Sequence, residues 1–447
     1  MSKTIAAIAT AHGVGSIAII RLSGPLSLDI AKTLSLQNSF KARHATLTSL
    51  YSVNNQLIDE AIVLYFKAPY SFTAEDVVEF QCHGGLIVAQ QILQATLDAG
   101  AELANPGEFS KRAFLNGRID LSEAEAIAQL IEAKSEDAAA ILAKQMKGSL
   151  REYIEYVRDE LLHILAYSEV SIDYAEEDLP QDLINQIMSK LENLHVKLSN
   201  TLEASQNRVG LMQGFKVSII GKPNVGKSSL LNSLLNYSRA IVSDIAGTTR
   251  DTIEEEVKIG SHLIKIVDTA GIREAGDEIE RIGIERSIDA IKESDIVIAL
   301  FDNSRDRDAE DEAIISLLNR CSSEKELIVV INKSDLKSQF DVSSLSKYDL
   351  VTLSCKESSS ELIAKLKTIM DSKNSSDEMM LISTRQVQAV SKTLQAIKES
   401  YEPLQDQELE IFSFNLNVAL NEIASITRPF ENDEMLDKMF GSFCLGK

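Results

Sequence analysis

The sequence predicts a multidomain chain, α/β plus all-α. An α+β region comes first, then a discontinuous helical bundle domain whose halves flank an inserted doubly wound α/β domain. Three observations predict it. Residues 215–372 alternate continuous apolar runs with helical stretches. The segments on either side carry the 3.6-residue period of amphipathic helices. The first 118 residues carry short β-rich runs bounded by turn signals. A length of 447 residues gives room for this organisation, at roughly 100–200 residues per domain.

In the N-terminal region, Thr4–Thr10, Ser16–Arg21 and Ala61–Phe66 read as strands. Val77–Phe80 alternates into HGG at 83–85, where His83 suits a turn. Ile87–Ala99 reads as a helix that Gly100 ends. Gly13–Ala18 mimics a GxGxxA dinucleotide fingerprint, but a strand-like IAIIRL follows where that motif needs a helix. Residues 121–170 read as one or two long helices, and Asp182–Asn207 continues in helical period after Pro180. Gly210 and Gly214 flank an expected hinge. Inside the insertion, the runs at 215–221, 262–268, 295–301 and 326–332 suit strands buried on both faces of a parallel sheet. The acidic run at 306–312 reads as a solvated helix start. Beyond the linker at 371–377, Thr384–Tyr401, Glu408–Thr427 and Asp433–Phe440 are amphipathic and too few for a core of their own. Their simplest partners are the helices of 121–207. The expected boundaries are 1–118, 119–214, 215–372 and 373–447.

Composition narrows the function classes. No apolar run approaches the 18 or so residues a membrane span needs. The N-terminus reads as a first strand, not a signal or transit peptide. Cys82, Cys321, Cys355 and Cys444 show no CxxC spacing, which argues against zinc ribbons and thioredoxin chemistry. A reducing, cytoplasmic setting is expected. The net charge of −22 is uneven: residues 1–118 are neutral, with nine charges of each sign. A broad basic nucleic-acid surface is therefore not expected, and any RNA contact would use a local patch or a partner.

Gly221 through Ser228, GKPNVGKS, matches GxxxxGK[ST] between a predicted strand and a predicted helix. Backbone N–H groups of Asn224, Val225, Gly226, Lys227, Ser228 and Ser229 would surround phosphates at a helix N-terminus. Lys227 would reach the β/γ-phosphates and Ser228 would ligate Mg²⁺. Gly247-Thr248-Thr249 supplies a second hydroxyl for the metal, with Thr249 the candidate. Asp268-Thr269-Ala270-Gly271 brings a carboxylate near the metal and a glycine N–H near the γ-phosphate. Asn332-Lys333-Ser334-Asp335 ends another strand, and Asp335 can accept from both N1–H and the amino group of guanine. Adenine lacks that donor pair, so the nucleotide is expected to be GTP. Ser354, Cys355 and Lys356 would close over the base. This is an inserted Ras-like P-loop G domain by pattern. After DTAG, however, stands Ile272, which cannot polarise water. Either hydrolysis is slow or another residue positions the water, with Glu280 or Glu278 within the charged stretch that follows. The amide oxygen of Asn224 could help hold a monovalent cation beside the phosphates.

These motifs, with PGEFSKRAFLNGRIDLSEAEAI at 106–127, EFQCHGG at 79–85 and FCLGK at 443–447, resemble the MnmE (TrmE) family of tRNA-modifying GTPases along the whole chain. The resemblance implies an N-terminal domain that binds 5-formyl- or 5,10-methylene-tetrahydrofolate and makes a homodimer. It implies a flavoprotein partner, MnmG (GidA), in a heterotetramer or larger complex. Together they would place an aminomethyl or carboxymethylaminomethyl group on C5 of wobble uridine in certain tRNAs. It also implies K⁺-stimulated GTP hydrolysis on juxtaposed G domains. By the resemblance, Asn224 with Ser243, Ile245 and Thr248 would hold K⁺, in a loop whose Asp244, Ala246 and Gly247 also border the nucleotide. Glu280 would orient water. Arg21, Glu79, Arg118 and Lys447 would contact folate, and Cys444 would be catalytic. Two positions depart from the family pattern. The tail is CLGK where CIGK is usual, and position 118 is Arg where Lys is common. Without the family, Cys444 would read as a structural thiol.

Two other functions fit parts of the sequence. A GTP-driven switch or assembly factor would leave all RNA chemistry to its partner. A ribosome-assembly GTPase shares the nucleotide motifs but predicts a basic surface and leaves the CLGK tail unexplained.

Overall fold

The computed structural model describes residues 3–11, 13–173, 181–207, 209–241, 255–267, 291–321, 325–372, 379–428, 433–443 and 446. The chain divides into two compact units. One holds Met1–Ile131, Ala143–Leu194 and Gln388–Lys447; the other holds Glu132–Leu142 and His195–Val387.

The first unit begins with a six-stranded sheet of order β3-β4-β5-β2-β1-β6. Its strands are β1 (Ile5–Ile8), β2 (Ile17–Ser23), β3 (Thr46–Tyr51), β4 (Leu57–Phe66), β5 (Val77–His83) and β6 (Glu102–Leu103). Helices α1 (Ser27–Ser35), α2 (Leu86–Asp98) and α3 (Glu108–Leu115) complete this part. The period-2 rule sorts β2 cleanly. Ala18, Ile20 and Leu22 enter a core shared with Ile30 and Leu34 of α1 and Ile92 of α2. Ile17, Ile19 and Arg21 therefore face the other way, in register with His83, Gln81 and Glu79 of β5. His83 is thus the last residue of a strand and not a turn residue. Its Nδ1 lies 2.7 Å from Asp59 Oδ1, and its backbone N–H donates to Asp59 Oδ2.

The stretch read as one or two long helices is three: α4 (Leu121–Glu132), α5 (Glu136–Met146) and α6 (Ser149–Asp173). Gly148, at a φ of +94°, allows the turn between the last two. Local chemistry starts α4. The Asp120 N–H donates to Glu123 Oε2 at 2.9 Å, and the Glu123 N–H donates back to Asp120 Oδ1 at 2.8 Å. This is a reciprocal capping box. Helix α7 spans Gln181–Asn207. The expected hinge between Gly210 and Gly214 is instead a short helix, α8 (Val209–Gln213). Gly210 serves packing there, since a Cβ would sit 2.6 Å from the Phe215 ring.

The second unit carries the sheet β12-β11-β10-β7-β9-β8. Its strands are β7 (Phe215–Ile220), β8 (Glu255–Ile259), β9 (His262–Val267), β10 (Ile296–Asp302), β11 (Glu326–Asn332) and β12 (Asp349–Thr352). All neighbours are parallel except β8 and β9. Helices α9 (Lys227–Ile241), α10 (Ala309–Cys321) and α11 (Ser360–Ser372) belong to it. The apolar runs now have a cause. Along β10, Ile296, Ile298 and Leu300 enter one core, while Val297, Ala299 and Phe301 enter the core on the opposite face.

The chain ends with α12 (Thr384–Glu399), α13 (Tyr401–Gln405), α14 (Leu409–Ala424) and α15 (Asp433–Phe440). Two helices far apart in sequence, α6 and α14, pack together, with the Ser168 and Ser413 hydroxyls 2.9 Å apart. Leu436 and Phe440 of α15 join Leu121 and Ala124 of α4 in a small core.

Because the capping box defines the start of α4, Asp120→Ala should cost about 1 kcal/mol there. Hydrogen exchange of the first-turn amides should speed up accordingly; unchanged protection would show that the cap is not what holds this helix end.

Candidate nucleotide site

The candidate site is built at the carboxyl ends of β7, β10 and β11. The P-loop leaves β7 and turns into α9 through residues that need special backbone. Asn224 sits at a φ of +62°, which Asn tolerates better than most side chains. Gly226 sits at +109°, and a Cβ there would lie 2.2 Å from Asn332 Nδ2. No other residue allows that approach.

Asn332, 3% exposed, joins two loops to its strand. Its Nδ2 donates to the Val225 carbonyl at 2.8 Å, and its Oδ1 accepts the Cys355 N–H at 3.0 Å. The partners fix the amide orientation, since one only accepts and the other only donates. Lys333 follows at a φ of +65°, a costly conformation for Lys. Its ammonium is held firmly: Nζ donates to the Asn224 carbonyl at 2.9 Å and to Asp302 Oδ2 at 2.6 Å. Asp302 ends β10 and is almost fully buried. Burial alone would raise its pKa, but the bonds from Lys333 and Ser304 outweigh that and hold it below the usual carboxylate value.

Lys227 opens α9. Its Nζ donates to the carbonyls of Gly221 at 2.7 Å and Lys222 at 2.9 Å. Burial pulls its pKa below the ordinary lysine value. Among the described residues no carboxylate opposes this charge, so a phosphate would supply the missing anion. Ser228 and Ser229 are exposed in the first turn, where a helix N-terminus favours anions. Asp335 is exposed beyond Lys333. Ser354 is buried, Cys355 half-buried and Lys356 exposed. Burial pushes the Cys355 thiol up to about 11, so at neutral pH it stays protonated and acts as a wall, not a nucleophile.

One sequence expectation fails here. The acidic run at 306–312 is not simply solvated. Asp308 and the buried Asp311 both bond Lys222 Nζ at 2.6 Å. Asp302 was also missed; its signal was an acid closing an entirely apolar strand. Ser243 to Thr249, Asp268 to Gly271 and Glu280 lie outside the described residues.

The first unit gathers a second set. Arg21 pairs with Glu79 through Nε and Nη2, both 2.9 Å from Oε1, and Nη1 donates to the Gly446 carbonyl at 3.4 Å. The rings of Phe72 and Phe109 flank the guanidinium at 5.9 and 5.8 Å. Gly446 is pressed on β1, where a Cβ would lie 2.6 Å from the Ile8 carbonyl oxygen. Arg118 is exposed. Cys444 and Lys447 lie outside the described residues. Among the described residues, no three His, Cys, Asp or Glu side chains are grouped to hold a metal, and no helix is long and apolar enough to cross a membrane.

Comparison with known proteins agrees with this geometry. The family description "GTP-binding protein TrmE N-terminus" matches residues 4–118, and "MnmE helical domain" matches residues 121–444. A tRNA modification GTPase MnmE from Sulfurimonas denitrificans is 70% identical over 99% of both chains. One from Aliarcobacter butzleri is 60% identical over 100% of this chain and 99% of its own. A solved FeoB G-domain from Methanococcus jannaschii is 22% identical over 36% of this chain and 98% of its own, at a TM-score of 0.26. That last likeness is too slight to bear weight. The two family matches and the full-length relatives show that the chain belongs to the MnmE family of tRNA modification GTPases.

Proposed function

We propose that this GTPase couples GTP hydrolysis to modification of C5 of the wobble uridine in certain tRNAs, acting as a homodimer with the flavoprotein MnmG in the cytoplasm. The group added is aminomethyl or carboxymethylaminomethyl. The observation that carries the nucleotide half is the network in which Asn332 and Lys333 hold the P-loop carbonyls of Val225 and Asn224. The loop that would wrap the phosphates and the strand end that would read guanine are thereby one rigid piece.

In this reading, backbone N–H groups of Asn224 to Ser229 hold the phosphates, and Asp335 selects guanine. Ser354, Cys355 and Lys356 close over the base. Mg²⁺ is held by Ser228 and Thr249, with Asp268 to Gly271 beside the γ-phosphate. The exposed Asn224 side chain, whose own carbonyl is occupied by Lys333, is free to offer an amide oxygen to K⁺, with Ser243, Ile245 and Thr248. Mg²⁺ and K⁺ neutralise phosphate charge when bound. Glu280 orients the attacking water, a role Ile272 cannot fill.

The N-terminal domain, 1–118, binds a one-carbon tetrahydrofolate with Arg21, Glu79, Arg118 and Lys447, near Cys444. The fit rests on Arg21, a forked cation between two aromatic rings that suits a flat acidic ligand. The helical halves, 119–214 and 373–447, would carry the G domain, 215–372.

Nucleosides of tRNA from cells lacking the gene should lose the C5-aminomethyl-type uridines and regain them with the wild-type copy. Persistence of those nucleosides would refute the tRNA assignment. Glu280→Ala should lower kcat about a hundredfold, the scale of a lost general-base or water-positioning group, with little change in GTP affinity. An equal loss of both would remove Glu280 from the chemistry. Asn332→Ala should weaken GTP binding about tenfold or more, since the Val225 carbonyl and the Cys355 N–H lose their bonds at once. An unaltered dissociation constant in the folded variant would mean that the loops hold themselves.

A further inference from the structure

We propose that Lys222 is a positioning residue for GTP, through which the start of α10 holds the phosphate loop in its binding shape. The inference concerns the GTP site alone and stands whether or not tRNA is the client.

Lys222 is the second residue of the P-loop, and its side chain is 7% exposed. A lysine this buried is costly unless paired. Its ammonium lies 2.6 Å from Asp308 Oδ2 and 2.6 Å from Asp311 Oδ2. Burial acts to lower its pKa, but the two aspartates outweigh that and raise it, so the ammonium stays charged.

The two acceptors are themselves fixed. Asp308 Oδ1 accepts the Glu310 and Asp311 N–H groups, both at 3.1 Å, and Asp311 Oδ2 accepts the Asp308 N–H at 3.2 Å. The pair is the capping box of α10. Among the described residues, the other Asp311 oxygen is buried with no hydrogen-bond partner. Lys222 is therefore the main compensation for a buried carboxylate.

The connection to the phosphates runs through the backbone of the same residue. The Lys222 carbonyl accepts from Lys227 Nζ. An ammonium has three N–H donors, so with two on this carbonyl and that of Gly221 the third is left to meet a phosphate. The loop backbone at Gly221 and Lys222 thus aims Lys227, and the ion pair behind Lys222 holds that shape from outside. The same segment reaches the base side, because Asp302 holds Lys333, and Arg307 donates to the Asp341 carbonyl and to Ser344 Oγ. One stretch, from the end of β10 to the start of α10, thus restrains both nucleotide motifs.

The test uses the full chain, with GTP hydrolysis and GTP titration beside thermal melting. Lys222→Met should raise KM and the dissociation constant for GTP about tenfold, the scale of a typical coupling between neighbouring networks. The kcat should hold, because the lost interaction serves ground and transition states alike. Lys222→Arg should recover most of the affinity. Lys222→Met alone leaves a buried carboxylate, so it is paired with Lys222→Met/Asp311→Asn, which removes both charges and keeps a capping oxygen. If the double variant regains stability but keeps the raised KM, Lys222 positions the loop. If KM returns to the wild-type value together with stability, or never rises in a folded Lys222→Met, the positioning role is wrong.

Discussion

The nucleotide site depends on one buried amide. Asn332 stands at the end of a strand whose residues are packed on both faces of the sheet, so it cannot shift without disturbing two cores. From that fixed point its two ends hold the Val225 carbonyl and the Cys355 N–H. Gly226 is required because the amide passes where its Cβ would be. Loops are otherwise the least restrained parts of a fold. Here the P-loop and the loop beyond β12 borrow rigidity from the sheet.

Electrostatics follow the same plan. The chain carries a net charge of −22, yet three lysines, one buried and two half-buried, lie at the phosphate end of one sheet. Lys222 and Lys333 are neutralised by aspartates from the stretch between the end of β10 and the start of α10. Among the described residues Lys227 bonds only neutral carbonyls, and burial without a paired carboxylate lowers its pKa. Two paired cations define the frame, and a third is left for phosphate. The linkage sign for Asp302 is clear. Its folded pKa is lowered, so its contribution to stability is present above the ordinary carboxylate value and is lost as pH falls through the lowered one.

The N-terminal sheet works differently. One face supplies the larger core; on the other, Ile5 and Ala7 join Phe109 in a smaller one, and Arg21 and Glu79 meet beside it across paired strands in direct register. The tail returns to this face, with Gly446 against β1 and its carbonyl on Arg21. Gly446 is needed because the backbones nearly touch. The family tail signature thus has a local physical reason at this position: a side chain there would collide with Ile8.

Much of this was readable from the sequence, for reasons of period and motif. The buried runs of β7, β10 and β11 announced a parallel sheet, since a strand covered on both faces has no polar positions. The P-loop and NKSD declared themselves because backbone turns and guanine recognition demand those residue types at fixed spacings. Local signals failed where the deciding partner was distant. His83 looked like a turn residue because its carboxylate, Asp59, comes from another strand. The break at Gly148 was hidden in a helical period that continued on both sides of it. The acids at 308 and 311 looked solvated because a capping pair and an ion-pair clamp have the same sequence; only burial against Lys222 separates them. Sequence determined which segments would be strands, helices and phosphate loops, because those depend on neighbours along the chain. Tertiary structure alone decided which charges are buried together, because that depends on groups 31 to 89 residues apart.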